Sequence, residues 1–214
     1  MASRTYGQFC GFARAAEIFG ERWALLIIRD LLVGPKRFSD LHRGLPGIPT
    51  NVLTARLKEL ERADVIRRNL LPRPANSIVY ELTEYGQELE PVVISLGKWG
   101  AKTLGDPRPD EVITVDSIIT ALRTTFHPAP ARGFRARYEL RLGDIVVNAA
   151  IENGKLRAAE GPAEHADLVI ETGPGLRALM AGEITARDAA KNGIVDINGD
   201  VALLERFADI FHID

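Results

Sequence analysis

The chain has 214 residues, of which 46% are hydrophobic and 26% are charged, and its formal net charge is −2. This composition is that of an ordinary globular protein of one or two domains, and it excludes a uniformly basic nucleic-acid binder. A single cysteine excludes an internal disulfide, four scattered histidines predict no metal site, and no apolar run approaches the roughly 20 residues of a membrane span. We therefore expect a cytoplasmic protein with no cofactor, no metal and no membrane insertion.

The charge is unevenly distributed along the chain. Residues 1–105 contain 15 lysines and arginines against 11 acidic residues, a net charge of +4. Residues 106–214 contain 12 against 18, a net charge of −6. Between them, two prolines and a glycine in residues 104–111 interrupt any helix. We expect two domains, 1–105 and 106–214, with different functions.

The first half begins with two predicted helices separated near Gly20, and the second of them ends at Gly34-Pro35. A short third helix follows, with Ser39 placed to cap its first turn. Trp23, at the start of the second helix, is interpreted as a core or dimer-packing residue.

The next helix, predicted over residues 47–61, has two different faces. Leu53, Leu57 and Leu60 lie on one side of a helical wheel and must face a core. The opposite side carries Asn51, Thr54, Ala55, Lys58 and Arg62. Asn, Thr and Lys can hydrogen-bond base edges or phosphates, and Ala can contact a thymine methyl group. An ordinary solvated helix face is the alternative interpretation.

Two β-prone runs, residues 65–71 and 77–82, flank a Pro/Asn turn and predict a hairpin. The basic residues on or near these elements are Lys36, Arg37, Arg67, Arg68 and Arg73. Helix, turn, helix and basic hairpin is the order of a winged helix-turn-helix, in which such cations contact phosphates and release counterions. Surface ion pairs with Glu59 or Glu61 are the alternative for the hairpin arginines.

Several short motifs occur in a specific order in this half. They are Arg-Trp, Gly-Pro before Arg-Phe-Ser-Asp-Leu, Leu-Pro-Gly-Ile, Arg-Leu-Lys-Glu-Leu-Glu, and Tyr-Glu-Leu-Thr before Gly. In this order they resemble the HxlR-type family of bacterial transcription regulators over residues 8–105. The resemblance implies a homodimer on a double-stranded DNA operator, with dimer contacts from helices near 10–19 and 84–104. Pro49 stands where the family commonly has Ser, so Thr50 is expected to cap the recognition helix and to lie at the DNA.

The second half changes to an alternating pattern after one amphipathic helix. Tight turns at Gly143-Asp144 and Asn153-Gly154 separate three strands. A fourth strand, two short helices, a fifth strand and a final helix capped by Asp200 follow. This order predicts an α/β layer, a sheet of about five strands with one face covered by helices. The whole chain is therefore assigned to the α+β class.

Residues 110–214 resemble the sterol carrier protein type 2 superfamily in this order and in the Ile-Asn-Gly-Asp that opens the last helix. The resemblance implies an apolar tunnel for a fatty acyl or sterol-like molecule, and no catalytic residues. The residues that could line this ligand pocket are Leu140, Leu142, Ile145, Val147, Leu176, Met180, Phe207 and Phe211. A packed core would give the same sequence pattern, because both environments bury apolar surface.

Cys10 stands just before the first helix, with Arg14 one turn later. A helix N-terminus and a cation both favour the thiolate, which is the form that oxidants and electrophiles attack. Some HxlR-type members are similar in having a sensing cysteine here, so Cys10 is a redox candidate. The alternative is a small buried apolar residue in the dimer contact.

Catalysis is not predicted, because the chain has no phosphate-binding glycine loop, no HExxH motif and no Ser/His/Asp arrangement. We expect a dimeric, sequence-specific DNA-binding transcription regulator, modulated by a lipophilic small molecule in its second domain. Two other hypotheses stay open. One is a lipophilic-ligand carrier whose first half only dimerises, and the other is a redox-sensing regulator acting through Cys10.

Overall fold

A computed structural model describes residues 5–72, 76–105, 107–173 and 175–213. The chain divides into two units, Met1–Val93 and Ile94–Asp214, and the division falls inside a helix, Glu90–Ala101. The predicted domains, 1–105 and 106–214, stay a prediction.

The first unit consists of helices and one hairpin. Its elements are α1 (Gly11–Phe19), α2 (Ala24–Val33), α3 (Phe38–Gly44), α4 (Thr50–Arg62), β1 (Ile66–Leu70), β2 (Ile78–Leu82), α5 (Glu84–Gln87) and the beginning of α6 (Glu90–Ala101). Two helices around Gly20 and a hairpin after α4 are therefore confirmed. The helix expected near 84–104 is instead two helices, α5 and α6.

The core of this unit follows from the helical spacing of its apolar residues. Its buried members are Ile27, Ile28, Leu31, Leu41, Leu45, Ile48, Leu53, Leu57, Leu60, Val65, Ile66, Leu82 and Val93. Burying one such side chain contributes roughly 1.5–3 kcal/mol. The three leucines of α4 are at most 2% exposed, so they fix which side of this helix faces outward.

The turn after β2 depends on a glycine. The hydroxyl oxygen of Thr83 accepts a hydrogen bond from the Gly86 N–H at 3.0 Å, which caps α5. A Cβ atom at position 86 would lie 2.0 Å from the backbone oxygen of Val65. Since no side chain fits there, the Tyr-Glu-Leu-Thr motif is followed by glycine for a steric reason.

The second unit contains a five-stranded sheet and four helices beyond the end of α6. Its elements are α7 (Val115–Thr125), β3 (Arg135–Leu142), β4 (Ile145–Glu152), β5 (Lys155–Glu160), β6 (Leu168–Thr172), α8 (Gly175–Met180), α9 (Ala186–Lys191), β7 (Val195–Gly199) and α10 (Val201–Ile210). The strand order is β5-β4-β3-β6-β7, with β3 and β6 parallel and the other neighbours antiparallel. The predicted five strands are confirmed.

Paired residues of adjacent strands point to the same side of a sheet, and on one side of this sheet these residues are apolar. Tyr138 pairs with Ala149 and with Leu168, and all three are buried. The Tyr138 hydroxyl donates to the backbone oxygen of Leu203 in α10 at 3.1 Å, and its ring meets Phe207 edge-on. Helix α10 thus packs on the apolar face of the sheet, as predicted. Asp200 caps this helix by accepting from the Ala202 N–H.

Candidate nucleic-acid interface

The N-cap of helix α4 is Pro49, and the first helical residue is Thr50. Pro49 is extended (φ −67°, ψ 141°), and its backbone oxygen already accepts from the N–H groups of Val52 and Leu53. The prediction that Thr50 caps this helix is therefore wrong, because Thr50 is the first helical residue. Its hydroxyl lies 3.4 Å from Nε2 of His42 in α3.

The predicted cap of α3 is also wrong. The helix begins at Phe38, so Ser39 is its second residue and Arg37 is its N-cap. The N–H of Arg37 donates to the Asp40 carboxylate at 3.1 Å. Arg37 itself is exposed, and it lies where the chain enters the helix-turn-helix.

The outward side of α4 carries the four predicted base-contacting residues. Asn51 and Lys58 are exposed, whereas Thr54 and Ala55 are half-buried. Among the described residues Lys58 has no hydrogen bond or ion pair, so its ammonium group is available to a ligand. The Thr54 hydroxyl donates to the backbone oxygen of Thr50 at 2.8 Å, which leaves its oxygen free to accept but not to donate.

The hairpin arginines are paired in the free protein. Arg67 binds Glu81 at 2.8 Å and Arg68 binds Glu61 at 2.8 Å, with the arginine side chains 65% and 56% exposed. Ion pairs this exposed contribute little to stability, so a phosphate group can compete for the guanidinium groups. Arg67 and Arg68 therefore form surface ion pairs, as the alternative interpretation of the sequence expected. The partner of Arg68 is Glu61, whereas the partner of Arg67 is Glu81 and not Glu59 or Glu61.

Lys36 joins the hairpin through its backbone. Its N–H donates to the oxygen of Tyr80 at 2.9 Å, and the Tyr80 N–H donates back at 2.7 Å. This short antiparallel bridge continues the β1–β2 ladder beyond β2 and places Lys36 beside the hairpin. No local pattern in the sequence indicates this bridge. The remaining predicted phosphate contact, Arg73, lies outside the described residues.

Two neighbouring side chains were not foreseen as part of this surface. His42 is exposed, stacks on Phe38 and approaches Thr50, so it lies at the start of the recognition helix. Arg43 is 80% exposed on its side chain in the same helix, α3. A lone histidine and a lone arginine in a seven-residue helix carry no periodic signal that would have identified them.

Trp23 has an unusual backbone at the entrance of α2. Its φ of 83° is in the left-handed region, which bulky residues adopt only when their surroundings hold them there. The indole is half-buried against the core, and the Arg22 guanidinium lies 5.0 Å above its ring. The interpretation of Trp23 as a packing residue agrees with these contacts.

Cys10 is the N-cap of α1 and is exposed in this chain. Hydrogen bonds from the backbone N–H groups of Ala13 and then Phe12 lower the pKa of its thiol. Arg14, expected to assist, instead binds Glu17 at 2.9 Å. The helix terminus, and not the cation, is therefore what favours the thiolate.

The eight residues predicted to line a lipophilic pocket lie on the covered face of the sheet, in α8, and in or directly after α10. Seven of them are buried, namely Leu140, Leu142, Val147, Leu176, Met180, Phe207 and Phe211. Ile145, which pairs with Leu142, is half-buried. Their contacts include rings of Phe207 and Phe211 with centroids 4.6 Å apart. Seven of these side chains are therefore part of the apolar interior of this unit, and the tunnel stays a prediction.

Two further properties concern the described part of the chain. Within residues 5–72, 76–105, 107–173 and 175–213, no helix has the length and apolarity that a bilayer span requires. In the same ranges, no three His, Cys, Asp or Glu side chains are grouped so that they could hold a metal ion.

Known proteins share the first half of the chain. YvaP of Bacillus subtilis, an uncharacterised HTH-type transcriptional regulator, is 38% identical over 96 residues, which are 45% of this chain and 88% of that protein. The HTH-type transcriptional regulator YodB of the same organism is 39% identical over 40% of this chain and 76% of its own. The solved structure of reduced YodB is 35% identical, covers 46% of this chain and all of that chain, and gives a TM-score of 0.40.

A family model for the HxlR-like helix-turn-helix matches residues 18–107. These residues include helices α2 to α6 and both strands of the hairpin. The likeness to YvaP extends over nearly the whole of that protein at 38% identity. The chain therefore belongs to the HxlR-like helix-turn-helix family.

Proposed function

We propose that the protein is a dimeric transcription regulator that reads a double-stranded operator with α4. The observation that carries this proposal is the division of α4 into a buried leucine stripe and an outward face whose Lys58 is uncommitted within the described residues. Asn51 is assigned to base edges, Thr54 to an acceptor role, Ala55 to a thymine methyl and Lys58 to a base edge or phosphate.

The surrounding cations are assigned to phosphates. They are Lys36, Arg37, Arg67, Arg68 and Arg73, with Thr50 at the first turn of the recognition helix. Phosphate contacts fix the register of a protein on the duplex without reading its sequence. Arg67 and Arg68 would each exchange a carboxylate partner for a phosphate, so binding by the hairpin is expected to depend strongly on salt.

Dimerisation is assigned to exposed apolar side chains on α1 and α6. Phe12 of α1 is 83% exposed, and Val92, Leu96 and Trp99 follow one another along one side of α6 at helical spacing. Large apolar side chains in such a row mark a protein contact. The occupant proposed here is a second copy of the chain, as in the family that the sequence resembles.

Selection of bound DNA from a random pool tests the DNA-binding proposal. Full-length protein is expected to enrich two related half-sites whose centres are separated by about one helical turn or a multiple of it. An Asn51→Ala variant should enrich a more degenerate sequence, whereas the control Lys191→Ala, an exposed lysine of α9, should enrich the wild-type sequence. A pool with no enriched sequence would support the carrier hypothesis instead.

For the second unit we propose an input role, in which an apolar molecule between sheet and helices changes the affinity for DNA. The supporting feature is the set of buried apolar side chains that includes Leu140, Val147 and Phe207. Such coupling requires unequal ligand affinity for the DNA-bound and released states, typically about 1–3 kcal/mol. Native mass spectrometry of purified protein should detect a co-purified acyl compound. If the protein purifies without a ligand, and adding an acyl compound leaves its operator affinity unchanged, this role is rejected.

A redox input through Cys10 is a second candidate, favoured by the exposure of the thiol and its lowered pKa. Diamide or a quinone is then expected to release wild-type protein from its operator, because either reagent attacks the thiolate. A Cys10→Ser variant should stay bound. Equal release of both proteins would remove Cys10 from the mechanism.

A further inference from the structure

A small cavity in the second unit is lined by basic side chains. Its volume is about 90 Å³, and its lining includes Lys98, Lys102, Thr124, Thr125, His127 and His212. None of the described lining residues is acidic. Two ammonium groups, with two imidazoles beside them, make this cavity electropositive.

The cavity is built where the end of α6 packs against α7. A Cβ atom at Gly97 would lie 3.0 Å from Oγ1 and 3.1 Å from Cγ2 of Thr124, so the two helices approach closely at this glycine. Lys98 and Lys102 are four residues apart and therefore project from the same side of α6. Neither lysine has a hydrogen bond or ion pair to any described residue. Both ammonium groups are thus available to a ligand.

The two histidines are held together by the backbone. The N–H of His127 donates to the oxygen of Ile210 at 2.8 Å, and the N–H of His212 donates to the oxygen of Thr125 at 3.1 Å. Their imidazole rings stack in parallel, with centroids 3.5 Å apart and an interplanar angle of 7°. Two rings at this distance repel when both are protonated, and an anion beside them offsets that repulsion.

Several polar groups around the cavity already donate hydrogen bonds to the backbone. The hydroxyls of Thr124 and Thr125 donate to backbone oxygens one turn back, at 2.7 and 2.8 Å, so they cannot donate to a ligand. Nε2 of His127 lies 3.2 Å from the backbone oxygen of His212, and Nδ1 of His212 lies 3.1 Å from that of Asp209. A carbonyl oxygen only accepts, so these nitrogens carry the ring protons. The lysines are therefore the principal donors.

We propose that this cavity binds a phosphate group, either as the free ion or as the end of a phosphomonoester. Lysine ammonium groups bind phosphate as point charges, and two of them match its double negative charge. On the same measure of volume one water molecule needs roughly 10–15 Å³, so the cavity has room for a group of several heavy atoms. A carboxylate has a single negative charge and two oxygens, so we expect it to bind the two ammonium groups more weakly than a phosphate group does.

The test is a titration of the full-length chain followed by the imidazole resonances in NMR spectra, at constant pH and ionic strength. The probes are inorganic phosphate, glycerol phosphate and acetate. Resonances of His127 and His212 should shift saturably with at least one phosphate probe, while the exposed His165 serves as an internal control. The tighter of the two phosphate probes identifies the source of the group, and acetate should bind at least about tenfold more weakly.

Paired substitutions identify the donors. In K98A/K102A the apparent Kd for the tighter phosphate probe should rise about tenfold or more, which corresponds to about 1.4 kcal/mol or more. The matched control K155A/K191A removes two exposed lysines of the same unit and should leave Kd unchanged. The wild-type titration decides the question even if a variant fails to fold.

Three outcomes would overturn the proposal. They are equal shifts of His165 and the two cavity histidines, acetate binding as tight as phosphate, and an unchanged Kd in folded K98A/K102A. Absence of any saturable shift in the wild-type chain would overturn it as well.

Discussion

Helices α4 and α10 share one pattern and differ on their outer faces. Each buries an apolar stripe, Leu53, Leu57 and Leu60 in α4 and Leu204, Phe207 and Ile210 in α10. In α10 the outward charges are used within the protein. Glu205 binds Arg187, and Arg206 both approaches Asp209 and donates to the backbone oxygen of Pro130.

In α4 the charged residues Arg56 and Glu61 also form ion pairs, but three outward positions differ from those of α10. Asn51 is exposed, Ala55 is slim, and Lys58 has no partner among the described residues. An amphipathic stripe therefore shows only that a helix packs on a core. What distinguishes a recognition surface is an outer face whose polar groups are left for another molecule.

The largest expected effect is common to both helices and concerns their inner faces. Leu57→Ala should lower the free energy of unfolding by about 2–5 kcal/mol, and Phe207→Ala by about 3–5 kcal/mol, because each leaves a cavity in a packed core. Urea denaturation measures both. Lys58→Ala is the surface control and should stay within about 0.5 kcal/mol of wild type. A stable Leu57→Ala variant would contradict the inward orientation of the stripe.

The next effect separates the outer faces. Asn51→Ala should weaken binding to the selected operator by about 1–3 kcal/mol and relax sequence preference, because a base contact is lost. Titration of the operator and of a scrambled duplex measures both quantities. Glu205→Ala, on the outer face of α10, is the matched control and should bind both duplexes as wild type does.

A smaller effect is expected for the hairpin. Arg67→Ala should weaken binding to the operator and to the scrambled duplex alike and reduce the salt slope by about one, since one phosphate contact is removed. The same is expected of Arg73→Ala. If Asn51→Ala and Arg67→Ala gave the same change in sequence preference, the assignment of bases to α4 and phosphates to the hairpin would be wrong.

The smallest effect is expected from the outer ion pair of α10. Glu205→Gln removes the negative charge that pairs with Arg187, and the side chains of Arg187 and Glu205 are 76% and 38% exposed. Thermal unfolding should change less than in any core variant, and operator affinity should not change. A marked loss of DNA binding in Glu205→Gln would show that the outer face of α10 also takes part in recognition.

The elements that could be predicted from the sequence are those with a strong period. Leu53, Leu57 and Leu60 repeat at helical spacing, and the turns at Gly143-Asp144 and Asn153-Gly154 separate alternating runs. These local patterns reflect burial on one face, so the structure repeats them. The parallel pairing of β3 with β6 has no such local signal, because it joins residues about 30 positions apart.

The caps and the ion pairs could not be predicted with the same success. Thr50 and Ser39 have the right chemistry for N-caps, but a cap is decided by the residue at which the backbone turns helical. Pro49 and Arg37 occupy those positions instead. In the same way, Glu81 reaches Arg67 only because β1 and β2 pair in register. Composition and spacing do not contain that information.

The carboxylates of Glu61 and Glu81 have a consequence for discrimination between polyanions. When Arg67 or Arg68 turns toward a phosphate, its former partner remains nearby as an unneutralised negative charge that opposes the incoming strand. A polyanion that contacts only the hairpin would gain one phosphate contact and would be repelled by this carboxylate. Under the proposed function, a duplex that also engages α4 gains further contacts that offset this repulsion, so we expect the two glutamates to favour such a duplex over other polyanions.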